Sequence, residues 1–463
     1  MKVTASFDPV SRIEGHLGVE VDFDTVGGVQ QVVNVRVGGL LFRGFENILI
    51  GRDPRDAPHI TERICGVCPV AHGMAAVKAL DRACGVTVPA NARIMRNLVQ
   101  AANFIESHIL HFYLLTLPDF IAGPAMPPWQ TDWAIDRRFD AKATEALLAG
   151  YLKAIEIRRK THEMGALFGG RMPHPPAYVA GGFTANPRPE RISNFRDYLN
   201  ELIAFIQDRY LPDADTLASR YGDYFALGRG HANLLSYGAF DLDDQDTQKL
   251  FTGGQILDGL RDPQPIDVAS ITEHVTYSWY QAKTTGLNPA AGKTTAVDPA
   301  TKSTAYSWLK APRYGGKPYE VGPLARMWIN GEYTHGISVM DRHLARAREA
   351  WKIAQTAREW LEELVPEGPV CNPPVIPPSA SGVGLTEAPR GALGHWLGIS
   401  GGAISSYQVI TPTTWNASPR DNKGVLGPLE EALLGTPVED TSKPVEVMRV
   451  IHSFDPCLDC AVH

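Results

Sequence analysis

A chain of 463 residues, 44% hydrophobic and 21% charged, is long enough for a large core and has the composition of a globular protein. Its net charge of −7 argues against a general binder of nucleic acid or anionic membrane, because such binders need clustered positive charge. No run of about 18 apolar residues offers a transmembrane span, and residues 1–9 lack the apolar stretch of a signal peptide, so export would depend on a partner's signal.

Residues 16–38 read as a β-hairpin around the turn signal Gly27-Gly28. A short helix is expected near Gly44-Phe45-Glu46 and another after Asp56. Pro89 opens a long helical stretch to about residue 117, with Ile94, Leu98, Ala101, Ile105, Ile109 and Phe112 at helical spacing and Pro118 as its stop. Further long helices are predicted at about 142–168, 190–209 and 340–364, and four of this length suggest a central bundle. Short strands are expected near 223–240 and 265–280, a surface loop at 285–304, and irregular structure across the Pro- and Gly-rich 366–391. The fold class is mainly α with smaller β parts. Length alone suggests two to three domains, but no boundary is clean, so residues 1–463 read as one domain.

Six cysteines in so large a chain do not make a disulfide scaffold. Four of them form two Cys-x-x-Cys pairs, Cys65/Cys68 and Cys457/Cys460, near opposite ends of the chain; Cys84 and Cys371 read as single small hydrophobes. Two pairs point to one four-thiolate site that draws both ends together. From spacing alone, structural zinc and a catalytic or redox metal fit equally, with redox dithiols as a third reading. Glu62-Arg63 and His72 flank the first pair and Asp455-Pro456 precede the second, where charges tune thiolates.

The motifs Arg63-Ile64-Cys65-Gly66-Val67-Cys68-x-x-x-His72 and Asp455-Pro456-Cys457-x-x-Cys460-x-x-His463 resemble the two signatures of nickel–iron hydrogenase large subunits, of the uptake or periplasmic membrane-associated class. Further stretches agree in order, among them Asp8-Pro9-Val10-Ser11-Arg12-Ile13-Glu14-Gly15-His16, Glu320-Val321-Gly322-Pro323-Leu324-Ala325-Arg326, Ala388-Pro389-Arg390-Gly391-Ala392-Leu393 and Pro412-Thr413-Thr414-Trp415-Asn416. The resemblance implies that Cys65, Cys68, Cys457 and Cys460 bind nickel, with Cys68 and Cys460 bridging to an iron that carries carbon monoxide and cyanide. It implies a magnesium-like ion held by Glu46, His463 and the backbone carbonyl around Val409. Because the family's precursor is clipped just after the terminal His, the chain is expected to correspond to the mature form.

The implied reaction is reversible heterolytic cleavage of H2, which needs a Lewis-acidic metal and a base beside it. The resemblance makes Cys457 the proton acceptor, Glu14 the next carrier, and Arg390 a guanidinium over the open metal position, supported by Asp119 and Asp455. An arginine is too weakly acidic to serve readily as the base. Thr413 would bond a cyanide, with Thr411 and Pro412 beside it, and Pro389 and Leu393 would form an apolar wall; Thr411 stands where many members have Val. Val67 and Leu115 match the gas-channel residues of catalytic members, which argues against the alternative, a hydrogen-sensing regulatory subunit. The complex I subunit sharing this fold lacks the metal cysteines, all present here. No cysteines remain for an electron-carrying cluster chain, so an iron–sulfur small subunit is expected as partner, and through it a membrane cytochrome. His108 and His111 are read as facing that partner or as satisfied core histidines. The expected location is periplasmic or membrane-associated through co-export, with cytoplasmic as the alternative. No Gly-rich dinucleotide loop is found.

Overall fold

The computed structural model describes residues 3–12, 14–129 and 136–463. The predicted hairpin is strands β2 (Leu17–Val26) and β3 (Val29–Gly39), joined by Gly27 (φ 60°) and Gly28 (φ 87°). Both turn residues are left-handed, which a two-residue turn matching strand twist requires and glycine permits. A strand not foreseen, β1 (Val3–Phe7), adds to the free edge of β2. It is short and only half-buried, so its sequence carries little pattern.

The four long helices form. Together with a shorter helix before them they are α1 (Pro69–Cys84), α2 (Ala90–Leu110), α3 (Ala141–Gly169), α4 (Pro189–Phe205) and, later in the chain, α6 (Val339–Glu363), which follows the short α5 (Pro323–Ile329). Helix α2 packs against α3 and α6, and α4 against the same two. Every residue of α2 except Ala90 and Arg93 is buried, so this helix runs through the middle of the molecule. Asp140 caps α3 by accepting from Ala143 N, and Ser338 caps α6 by accepting from Asp341 N.

Two helix ends differ from expectation. The stretch after Pro89 is α-helical only to Leu110; it then widens into a π-turn, His111–Thr116, before Leu117–Asp119 tightens. Helix α4 likewise widens at Ile206–Tyr210 and continues as Leu211–Arg220, with Pro212 just beyond the widened turn.

The larger correction lies in 366–391. Only its first part is irregular; Ser379–Ala388 is strand β4, which pairs antiparallel with β5 (Gly391–Ser400), itself paired with β6 (Ala403–Ile410). This sheet lies on α1. Glycine usually weakens a strand, but here it permits close backbone approach. A Cβ on Gly382 would sit 2.0 Å from the carbonyl oxygen of Ala79, and one on Gly384 1.9 Å from that of Ala75. The expected surface loop at 285–304 is mostly exposed, yet it sends the Thr294 hydroxyl inward to Glu46. The last helix of length, α7 (Val445–Ser453), packs on α6 and leads into the second cysteine pair.

Because α1 begins at Cys68, pressure on its contact with β4 reaches the cysteines. Gly384→Ala is expected to destabilise the protein by about 1–3 kcal/mol, the usual cost of overpacking, and to lower metal loading. Denaturant unfolding midpoints and metal per chain check both; an unchanged midpoint would mean that β4 does not bear on α1 as tightly as these distances state.

Candidate metal centre

The first pair sits in an extended turn before α1, where Cys68 is the N-cap and Pro69 the first helical residue. The backbone N–H groups of Val67 and Cys68 point at Cys65 Sγ, at 3.3 and 3.2 Å. The second pair follows Asp455, whose φ of 55° turns the chain sharply, and Cys457 opens the short helix Leu458–Ala461 that contains Cys460. All four thiols are buried and free, and their sulfurs lie within 4.8 Å of one another. Neighbouring Sγ atoms are 3.0 Å (Cys68–Cys460), 3.1 Å (Cys65–Cys68), 3.2 Å (Cys457–Cys460) and 3.5 Å (Cys65–Cys457) apart. Soft donors so gathered suit a thiophilic metal centre.

Glu14 joins the two pairs. Its carbonyl accepts from the N–H groups of Leu458 (2.8 Å) and Asp459 (3.1 Å), and its carboxylate accepts from Gly66 N at 3.4 Å. A Cβ on Gly66 would stand 2.9 Å from Glu14 Oε1, so any larger residue there would have to displace the Glu14 carboxylate. Burial, the Cys457 charge and Asp459 raise the Glu14 pKa to about 7. Arg43 makes a second tie, donating to the carbonyls of Ile64 and Asp459.

Helix α2 holds the surrounding loops through one polar face. Gln100 Nε2 donates to the Glu387 carbonyl (2.9 Å), Asn103 Nδ2 to that of Val67 (2.8 Å), and His111, in the π-turn, to that of His452 (2.7 Å). The apolar neighbours that cluster with the thiols are Val67 and Leu110, with Leu114 and Leu115 half-buried beside them. Leu110 and Leu114 were not foreseen, since helical spacing marks them only as core.

Arg390 is 2% exposed. Its Nε lies 3.0 Å from both the carbonyl oxygen and Oδ1 of Asp455, while neither terminal guanidinium nitrogen has a hydrogen-bond partner among the described residues. Burial works against its charge, but Asp455 and the nearby thiols outweigh it and hold the guanidinium firmly protonated. Two buried donors left over next to four thiols suit a group that offers acceptors there.

A second polar nest adjoins the C-terminus. Glu46, 2% exposed, accepts from Val409 N at 2.8 Å; its carboxylate lies 3.5 Å from His463 Nε2 and 3.6 Å from Lys310 Nζ. Burial would raise the Glu46 pKa, but Lys310 and His463 overcome it and lower it. Glu46, Glu273, Tyr280, Lys310 and His463 enclose a small cavity. Val409 meets Glu46 through its N–H.

The family profile described as nickel-dependent hydrogenase matches residues 43–127, 133–336 and 329–463, and a HoxL-like profile matches 5–34. The chain belongs to the nickel-dependent hydrogenases. It is 42% identical to the periplasmic [NiFeSe] hydrogenase large subunit of Desulfomicrobium baculatum, covering 100% of this chain and 95% of that one. It is 33% identical to the uptake hydrogenase large subunit of Bradyrhizobium diazoefficiens, over 98% of this chain and 94% of the relative. The reduced Ni-Fe-Se hydrogenase of D. vulgaris Hildenborough superimposes with a TM-score of 0.96 at 43% identity, covering 100% of both chains. Those [NiFeSe] names carry selenium, whereas the four clustered positions of this hydrogenase chain are cysteines.

Other expected site residues of this hydrogenase chain differ in their surroundings. Asp455 contacts Arg390 directly; Asp119, expected near it, pairs with Arg12 and with His452 Nδ1, each at 2.5 Å, and its carbonyl accepts from Arg449. Asp119 follows the π-turn, which redirects the chain away from where a continuous helix would have carried it. Thr413 Oγ1 accepts from Cys457 N at 3.0 Å. Thr411 spends its hydroxyl capping the helix Pro412–Asn416, with Pro412 as first helical residue. Pro389 precedes Arg390 in a hairpin tip, and Leu393 packs with Ile64 and Val409 in a neighbouring cluster rather than among the thiols. His108 and His111 face no surface: both are buried, His108 on Glu349 (2.7 Å) and His111 on the His452 carbonyl.

Glu62, three residues before Cys65, is 1% exposed and neither carboxylate oxygen has a hydrogen-bond partner among the described residues. Burial raises its pKa from 4.5 to about 8, only partly offset by Arg63 and Arg171. The folded state therefore holds a proton that the unfolded chain gives up. This contribution to stability is complete below the unfolded pKa and is lost as pH rises through the folded one. Relative to wild type, Glu62→Gln is expected to gain thermal stability as pH is raised from about 5 to about 9. Melting temperatures across that range check this; a constant difference would mean that Glu62 ionises normally.

Proposed function

We propose that the chain is the catalytic subunit of a nickel–iron hydrogenase, one domain of 463 residues that cleaves H2 into protons and electrons. The observation that carries this is the meeting of four buried thiols, from opposite ends of the chain, beneath an arginine with two uncommitted donors. The family is one of oxidoreductases acting on hydrogen, and the relatives named above are uptake and periplasmic large subunits. A purely sensory role is not favoured by that company.

Cys65, Cys68, Cys457 and Cys460 would hold a nickel–iron centre whose iron carries carbon monoxide and cyanide. When bound, such a centre supplies the Lewis acidity that polarises H2 and the redox chemistry that removes two electrons. The chain's own residues manage the proton and the surroundings. Cys457 Sγ receives the proton, and Glu14, half-buried and with a pKa near the working pH, passes it outward. Arg390 and the Thr413 hydroxyl offer donors to the iron's ligands, with Asp455 orienting Arg390 and Asp119 fixing the loop behind it. Pro389, Leu393, Thr411 and Pro412 shape the enclosing walls. Glu46, Glu273 and His463 offer oxygen and imidazole donors for a hard divalent ion such as magnesium, with the Val409 strand alongside.

The electrons pass to an iron–sulfur small subunit. Beyond the four clustered cysteines the described residues hold only Cys84 and Cys371, too few thiols for a cluster relay. Among the described residues no helix is long and apolar enough to cross a membrane, and attachment through the small subunit, with a membrane cytochrome beyond it, fits the periplasmic and uptake relatives.

Metal analysis with infrared spectroscopy tests the reading. Nickel and iron with bands from carbon monoxide and cyanide are expected; zinc without such bands would end it. Glu14→Gln is expected to keep full metal loading and slow H2 oxidation by about 10²–10⁴-fold, the usual range for a lost acid–base group. Unchanged turnover at full loading would remove Glu14 from the proton route.

A further inference from the structure

Arg390 stands at the tip of a hairpin. Ala388 pairs with Gly391, leaving Pro389 and Arg390 as the two turn residues. Tip carbonyls are normally left to water, but this tip is buried, so each needs a donor from the protein.

One side chain supplies two of them. Arg326, on α5 and fully buried, donates from one terminal nitrogen to the Ala388 carbonyl (3.1 Å) and from the other to that of Pro389 (2.8 Å). Its remaining N–H groups go to carboxylates: Nε and one terminal nitrogen to Glu349 (2.6 and 2.7 Å), the other terminal nitrogen to Glu387 (2.6 Å). Five donors meet five acceptors, so the guanidinium has no freedom to turn. The carboxylates are held in turn, Glu349 by His108 Nε2 (2.7 Å) and Glu387 by Tyr237 N (2.7 Å). On the far side, a Cβ on Gly322 would lie 3.1 Å from the Arg390 carbonyl oxygen, so the tip is also closed off there.

We propose that Arg326 is a positioning residue for Arg390. A fully saturated arginine fixes the carbonyls on which a second, half-committed arginine is mounted, and so sets where the two free donors of Arg390 lie above the thiols. A lysine could keep the charge but not the fork that spans both carbonyls and both carboxylates. The inference rests on the hydrogenase reading and adds to it how the arginine is aimed.

The test uses the holoenzyme with its small subunit. Arg326→Lys, Arg390→Lys and the double variant are compared for nickel and iron content, for the infrared bands of the iron's diatomic ligands, and for H2 oxidation. Metal-loaded Arg326→Lys is expected to shift those bands in the same direction as Arg390→Lys and to lose roughly 10- to 100-fold in turnover. The double variant is expected to be no slower than Arg390→Lys alone, because both act through one group. Glu387→Gln keeps an acceptor for Tyr237 N while loosening Arg326, and is expected to give a smaller shift of the same sign. Wild-type bands in either metal-loaded variant would overturn the assignment. So would failure of both to load metal, which would make Arg326 a folding element only. Wild-type protein without nickel or diatomic bands would instead sink the underlying hydrogenase reading, and this inference with it.

Discussion

The site depends first on one residue's backbone. Glu14 lies in the left-handed region (φ 56°), which costs a residue with a side chain about 1–2 kcal/mol. In that conformation its carbonyl meets the first two N–H groups of the helix Leu458–Ala461, donors that a helix start leaves unpaired, while its carboxylate meets Gly66. The local cost is offset by bonds that place both cysteine pairs against a single reference. Gly15 follows at φ 87°, and a Cβ there would lie 2.8 Å from Asp459 Oδ1, so the turn and the second pair are shaped to each other. Because nearly the whole chain separates the pairs, this local register is what makes two distant motifs into one centre.

Around that register the protein uses buried charge at high density. Arg326, Glu349, Glu387 and His108 are fully buried together, and Arg390 with Asp455 lies next to them. Apolar residues of similar volume would often be as stable. What such a network gives is direction: each guanidinium N–H and carboxylate oxygen admits few arrangements, so side chains and carbonyls stay in place. The three carbonyls that α2 anchors, through Gln100, Asn103 and His111, belong to the Arg390 hairpin, the first cysteine turn and the approach to the second. One rigid helix thereby spaces three loops that are distant in sequence.

Much of this was legible before any coordinates. The hairpin followed from Gly27-Gly28, the bundle from apolar spacing, and the cysteine cluster from paired motifs. The missed features share a cause. Strand β4 is rich in glycine because it lies on the backbone of α1, and that partner is invisible from within residues 379–388. The π-turn after Leu110 keeps helical composition while adding a residue to the turn, so no local signal marked it, and the placement of Asp119 went with it. No local pattern pairs Arg326 with Glu349; only tertiary packing shows that they are buried on each other. Where function came from the chemistry of residue types, sequence sufficed. Where it came from which charges meet, it did not.

The surroundings of the thiols are of two kinds. Val67, Leu110, Leu114 and Leu115 are their apolar neighbours, and Glu14, Arg390 and Asp455 supply charge nearby. A nonpolar diatomic gas partitions into apolar surroundings without ordered partners, whereas a proton needs titratable groups within hydrogen-bond reach. A site walled by one kind alone would slow either entry of the gas or exit of the proton. Keeping both kinds of neighbour requires Arg390 and Glu14 to hold their places although nothing covalent keeps them there, and long charged side chains are costly to restrain. The left-handed turn at Glu14 and the saturated fork of Arg326 answer that requirement by the same means: each fixes backbone carbonyls, and the position of the charged side chain follows from the backbone that carries it.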